Sequence, residues 1–177
     1  MFKKNIIIKG KHADYMKKMA AIIDSNTNQK LFERNIDIYI FAPIVGMIYG
    51  RTSVVDNEYK DDTSIHTEQL QRELDVLTYN YRLIMLLADR DKLSIDERMD
   101  RAFRYDNEEE KRKISDDIFE KYVLGGIEIL YEKIMEDAKE IDDYLRNIYT
   151  FINDFNERYN KLIENEGIYE LCRLASD

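Results

Sequence analysis

NIDIYIFAPIVGMIYGR, residues 35–51, is the most apolar stretch of the chain, and its reading as a membrane span, a sheet strand or a buried helix decides the fold. Crossing a bilayer takes about 20 apolar residues. This run is shorter, is interrupted by Asp37 and lies between Arg34 and Arg51, so a span is not expected. The alternation of Ile36, Ile38 and Ile40 suits a pleated strand locally. Read from Leu31 onward, however, Leu31, Phe32, Ile36, Tyr39, Ile40, Ile44, Met47 and Ile48 share a broad helical face, and the length of the run favours the helix. Pro43 removes one intrahelical hydrogen bond and crowds the Tyr39 carbonyl, which predicts a kink or two abutting helices. Ala42, Gly46 and Gly50 recur every fourth residue. Small residues at that spacing leave a groove for a close helix, and the roughly 1 kcal/mol of helix propensity lost at each interior glycine calls for compensation. Either the chain's own packing fills this groove or a partner docks there. On the second reading Ala42, Pro43, Gly46 and Gly50 are partner-binding candidates.

Outward from this stretch, composition points the same way. A chain of 177 residues with 44% hydrophobic content has the length of one ordinary domain and enough apolar material for a core. Its one proline and six glycines are too few for a sandwich or barrel of many short strands. The expected fold is all-α: a multi-helix bundle over residues 1–177, with a basic extended segment at 1–10. The single cysteine, Cys172, excludes an internal disulfide framework and multi-cysteine metal sites, and a reducing, cytoplasmic location is expected. A net charge of −9 disfavours nucleic-acid binding by the whole surface. Residues 1–18 are the exception, with Lys3, Lys4, Lys9, Lys11, Lys17 and Lys18 against Asp14 alone.

Along the chain, NIII at residues 5–8 reads as a short strand that needs a partner, possible in another chain. Lys11 to Ile23 has helical spacing at Tyr15, Met16, Met19, Ala20, Ile22 and Ile23, ended by the polar loop DSNTNQ. DDTSIH, residues 61–66, offers the start of a long helix with its stripe at Leu70, Leu74, Leu77, Tyr81, Ile84, Met85 and Ala88. Ser94 to Glu97 is a capping box opening a short helix, with Ile95, Met99, Ala102 and Phe103 expected inward. Arg98, Arg101 and Arg104 then form an outer ridge suited to phosphates, or to salt bridges with nearby acids. Ser115 is expected to cap the next helix, with Ile118, Phe119, Tyr122, Val123, Leu130 and Ile134 inward. Gly125 and Gly126 in its middle are open to three readings: a close crossing, a bend or a break. Ile141, Leu145, Ile148, Ile152, Phe155, Tyr159 and Leu162 repeat at heptad spacing, a coiled-coil seam satisfied within the bundle or by a second chain. Ile152, Phe155 and Tyr159 are therefore further partner-binding candidates. Gly167 precedes a tail helix with Ile168, Leu171 and Cys172.

Chemistry is harder to find. His12 and His66 stand in no zinc motif, so no metal site is expected. Adjacent acids such as Asp61–Asp62, Asp116–Asp117 and Asp142–Asp143 point in different directions on a helix and do not converge for acid–base work. GMIYG lacks the Lys-Ser/Thr of a phosphate loop, and no nucleophile elbow or kinase set occurs. Cys172, beside Leu171, reads as a core filler. Neither catalysis nor a cofactor is expected.

LFERNIDIYIFAPIVGMIYGR, YRLIMLLADRDKLSIDERMDRAFR and YVLGGIEILYEKI, within residues 30–135, together resemble small helical accessory proteins encoded in bacterial anti-phage defence operons. The resemblance implies a subunit that works beside a larger ATPase or nuclease in sensing or cutting foreign DNA, and it transfers no catalytic residue. Three functions follow as expectations. The first is a non-catalytic adaptor that docks on a larger protein or on itself. The second is a nucleic-acid backbone contact module using Lys3, Lys4, Lys9, Lys11, Arg98, Arg101 and Arg104. The third is an acidic inhibitor that imitates DNA through Asp106 to Glu110.

Overall fold

The computed structural model describes residues 2–57 and 60–165, with side chains to residue 158. The architecture is mostly helical, as expected. Element order is β1 (Ile6–Lys9), α1 (Lys11–Met19), β2 (Ile22–Asp24), β3 (Gln29–Lys30), α2 (Asn35–Tyr49), β4 (Asp62–Ile65), α3 (Thr67–Arg72), α4 (Leu74–Leu87), α5 (Ile95–Phe103), α6 (Glu109–Leu130) and α7 (Ile141–Asn165). A single 3-10 turn, Tyr105–Asn107, precedes α6, and a π turn, Tyr131–Met135, follows it. The chain divides into two compact units, Met1–Glu132 and Lys133–Asp177.

The apolar stretch is the helix α2, unbroken through Pro43. Leu31 and Phe32 stay outside it, and Asp37 explains where it begins. Its carboxylate accepts the Arg34 backbone N–H at 3.0 Å and pairs with the Arg34 guanidinium at 2.6 Å, stabilising the positive helix start. Pro43 has no N–H to offer the Tyr39 carbonyl. On the neighbouring carbonyl, Ile40, the side chain of the buried Asn80 from α4 donates at 2.8 Å. The helix ends at Gly50, whose left-handed φ of 63° lets Arg51 N–H reach the Gly46 carbonyl at 2.8 Å.

Ile36, Ile38, Tyr39, Ala42, Pro43, Val45 and Gly46 are all buried, so α2 is enclosed on more sides than the single stripe read from sequence. Its principal neighbour is α6, in which every residue from Val123 to Leu130 is buried. The two backbones meet without intervening side chains: a Cβ on Gly126 would strike the Ala42 carbonyl, and one on Gly46 the Tyr122 carbonyl. A Cβ on Gly125 would strike the Arg51 carbonyl. The glycine pair of α6 is thus a close crossing. Phe119 extends the core outward from this crossing, with ring centroids 6.2 Å from Tyr39, 5.2 Å from Tyr81 and 6.0 Å from Phe2.

Four readings are corrected in the remainder of this unit. The amino-terminal strand pairs within its own chain: β1 is antiparallel to β4, with Ile6 opposite Ile65 and Lys9 opposite Asp62. DDTSIH therefore supplies a strand, because Thr63 and Ile65 place period-two side chains where β1 needs a ladder. The long helix expected from there begins only at Thr67 and is divided at Glu73 into α3 and α4. Ile22 and Ile23 leave α1 for a small hairpin with β3, its turn held by Asp24, which accepts from Asn26 N–H and Thr27 Oγ1. Ser115 lies inside α6, and its hydroxyl donates back to the Lys111 carbonyl at 3.2 Å.

In the second unit, Asp143 Oδ2 accepts from the backbone of Lys139 and Glu140 ahead of α7. Of the heptad positions, Ile141, Ile148 and Phe155 are half-buried, and Leu145 and Ile152 are exposed. The side chains of Tyr159 and Leu162, together with Gly167, Ile168, Leu171 and Cys172, lie outside the described residues.

The backbone crossing has a sign test. In an open helix position Gly→Ala gains about 1 kcal/mol of propensity. Gly126→Ala is expected instead to lose about 2 kcal/mol in urea denaturation, because the Ala42 carbonyl occupies the space. Ile114→Ala, at an exposed site on the same helix, should shift stability by no more than about 0.5 kcal/mol.

Candidate functional site

The groove candidates divide. Ala42 and Gly46 are buried against α6, Pro43 is buried, and Gly50 is an exposed helix cap with open space around its α-carbon. The chain's own helix thus fills the small-residue groove. Of the α7 candidates, Ile152 is exposed and Phe155 stacks obliquely on Phe151 at 5.9 Å.

The basic candidates also separate. Lys3, Lys4 and Lys9 are exposed near β1. Lys11 is not free, since its Nζ lies 2.9 Å from Glu128 Oε1. The arginine ridge is corrected at Arg98 and Arg101. Arg101 is only 7% exposed, and its guanidinium donates to the carbonyls of Met85 and Ala88 and to Asp89 Oδ2. Arg98 Nη1 donates to the Leu86 carbonyl at 2.8 Å. Arg104 is exposed and paired with Asp100. The reason lies at the end of α4. This helix has no glycine cap: Ala88 is extended and Asp89 turns at φ 57°, leaving terminal carbonyls without intrahelical donors. Two arginines supply those donors and place positive charge at the negative helix end. Burial opposes ionisation of Asp89, but Arg101 and Lys92 outweigh it and draw its carboxyl below the usual range.

With its arginines turned inward, α5 turns its apolar row outward. Ile95 is 71% exposed, Met99 44% and Phe103 43%, whereas all three are expected inward; Ala102, the fourth of that set, is buried as expected. The outer side of α4 continues this surface with Val76, Tyr79 and Leu87 exposed. Between the two helices runs a groove of about 540 Å³, lined by residues that include Tyr79, Leu83, Leu86 and Phe103. Either face of α5 carries a helical period, so only knowledge of the uncapped α4 terminus distinguishes them.

A second feature missed from sequence is the buried carboxylate of Glu128. Its Oε1 accepts from Ser53 Oγ at 2.6 Å, lies 3.0 Å from His12 Nε2 and 2.9 Å from Lys11 Nζ, and Arg51 Nη1 approaches Oε2 at 3.4 Å. Arg51 also pairs with Glu132 at 2.9 Å, and Asp56 accepts the Lys11 backbone N–H. Burial penalises the charged Glu128, yet its bonds to Ser53, Lys11 and His12 win and pull it down to about 2. His12 is fully buried, and burial lowers its pKa despite the carboxylate beside it. The neutral ring donates through Nε2, while Nδ1 has no hydrogen-bond partner among the described residues. Every contact of Glu128 ties α1 or the segment after α2 to α6, so the cluster acts as a clamp. Among the described residues no group of three or more His, Cys, Asp or Glu is placed to hold a metal ion. Nor is any described helix long and apolar enough to cross a membrane.

Two of the acids at 106–110 pair with lysines that follow them on α6. Glu108 meets Lys111 at 2.7 Å and Glu109 meets Lys113 at 3.2 Å, the ordinary one-turn pairs of a solvated helix start.

In comparison with known proteins, the family profile described as DNA sulphur modification system-associated protein 4 matches residues 10–166. No curated protein and no solved structure matches.

Acid should release the Glu128 clamp in two steps. His12 is held neutral in the fold, so the unfolded chain binds more protons as pH falls through about 6.5, and stability declines. Glu128 adds a further loss between about 4.5 and 2, where the unfolded carboxyl protonates first. In chemical denaturation across this range, Glu128→Gln should start about 2 kcal/mol less stable at pH 7 and lack the lower step. Arg101→Met should also cost about 2 kcal/mol, by leaving the end of α4 without donors.

Proposed function

Because this chain belongs to the DNA sulphur modification system-associated protein 4 family, we propose that it serves that system as a non-catalytic adaptor, a helical subunit that docks on a larger protein component. The observation that carries this reading is the outward apolar row of α5 beside the apolar outer side of α4. Exposing a coherent row of large apolar side chains costs solubility, and such surfaces mark sites of association. The row is firmly held, since the arginines on the opposite side of α5 bond to main-chain carbonyls of α4. The Glu128 carboxylate, by contrast, has its bonds to Ser53, His12 and Lys11 within the chain. The family assignment and the resemblance to accessory proteins of defence operons agree at the level of an accessory protein associated with a larger system.

The test is co-expression with the other proteins of the system, followed by size-exclusion chromatography with light scattering. The chain should co-elute with at least one larger component. Ile95→Glu and Tyr79→Glu, both at well-exposed positions, should reduce the co-eluting fraction at least about tenfold with melting temperature unchanged. Failure to co-elute with any component would overturn the adaptor reading.

A further inference from the structure

The α4–α5 groove contains a cation among apolar walls. Arg82 projects from α4 with its guanidinium carbon 5.1 Å from the centroid of the Phe103 ring on α5. Its Nε is buried and has no hydrogen-bond partner among the described residues. A buried guanidinium N–H without an acceptor is costly. The contact with Phe103 holds the guanidinium at the groove. Asp75 lines the same groove seven residues earlier on α4, about two helical turns or 10 Å away. Thr78 and Tyr79 lie between these two charges on α4, and Leu83 and Leu86 continue the groove as an apolar wall beyond Arg82, with Phe103 of α5 also lining it.

We propose that this groove receives an amphipathic helix of a protein partner, whose apolar ridge seats on Tyr79, Leu83, Leu86 and Phe103 and whose Asp or Glu carboxylate pairs with Arg82. The proposal rests on the adaptor reading for the source of that helix. Charge complementarity selects the occupant. A carboxylate pairs with the outer guanidinium nitrogens of Arg82, as a neutral apolar segment does not. Asp75 favours a basic residue on the occupant two turns from that carboxylate, which fixes the direction in which the helix lies. The walls are helices with satisfied backbones, so they offer pockets to a ridge of side chains rather than a free edge to a strand. A lipid surface fits poorly, because the groove is flanked by an acid and the chain carries a net charge of −9. A nucleic acid fits poorly for the same reason.

The experiment is a titration of the 15N-labelled full chain with a synthetic helical peptide carrying leucines at i, i+3 and i+7 and one glutamate, end-blocked to remove terminal charges. Two matched peptides carry glutamine or lysine in place of the glutamate. Shift changes confined to α4 and α5, with affinity falling about tenfold for the glutamine peptide and further for the lysine peptide, are expected. Arg82→Met should remove the preference for glutamate over glutamine. The peptide series leaves the protein unaltered, so its result does not depend on a variant folding. Shifts that map elsewhere, no binding of any peptide, or an Arg82→Met protein that still prefers glutamate would overturn the proposal. Co-elution with system components, measured in parallel, separates the two readings. A complex retained by Arg82→Met and by Leu83→Glu overturns the groove assignment and leaves the adaptor standing. A groove that binds the glutamate peptide in a chain that joins no component supports the groove chemistry and removes the adaptor.

Discussion

The approach of α2 to α6 at Gly46 and Gly126 is the constraint on which the first unit depends. Backbone meets backbone there, with the Ala42 and Tyr122 carbonyls in the space that side chains would take. Such an approach brings the flanking large residues into contact on either side, and it explains why α6 is buried all round from Val123 to Leu130. It also determines the polar arrangement one turn further on. Once Gly125 lies against the Arg51 carbonyl, the segment after α2 must run beside α6, and Ser53 and Arg51 reach Glu128 from it. A carboxylate in this interior is tolerable because hydrogen-bond donors converge on it from α1 and from that segment.

The helical class was legible in the sequence because it rests on quantities that packing does not reverse: few turn residues, long apolar periods, and a run too short and too charged for a bilayer. The helical state of the apolar run and the close approach implied by Ala42 and Gly46 were readable on the same grounds, whereas the two-helix alternative at Pro43 is corrected, since α2 continues through it. What fills a small-residue groove is a tertiary fact, and here α6 fills it. The strand at Asp62–Ile65 was hidden because its ladder partner lies more than fifty residues away at Ile6–Lys9. Local residues such as Asp61, Asp62 and Thr63 resemble a helix start until that partner is known.

The candidate surface was half legible. Its residues, Ile95, Met99 and Phe103 on one side of α5 and Arg98 and Arg101 on the other, were identified by period, but their direction was inverted. The default that apolar side chains face inward fails when a neighbouring helix end offers main-chain acceptors that only long cationic side chains can reach. The Glu128 cluster was invisible for a related reason. Its members, from positions 11, 12, 51, 53 and 128, share no spacing, and a lone glutamate inside an apolar run of α6 carries no mark of its partners.

The arginine attachment of α5 has a consequence for how this protein can change over generations. The attachment is made to carbonyl oxygens of the main chain, which every residue type provides, and it leaves Ile95 and Met99 out of the supporting framework, whereas Phe103 carries the Arg82 guanidinium of α4. Substitutions at Ile95 and Met99 alter what the surface presents without loosening the scaffold beneath it. Selection can therefore retune partner choice at these positions independently of folding, a separation that a helix anchored by its apolar side does not possess.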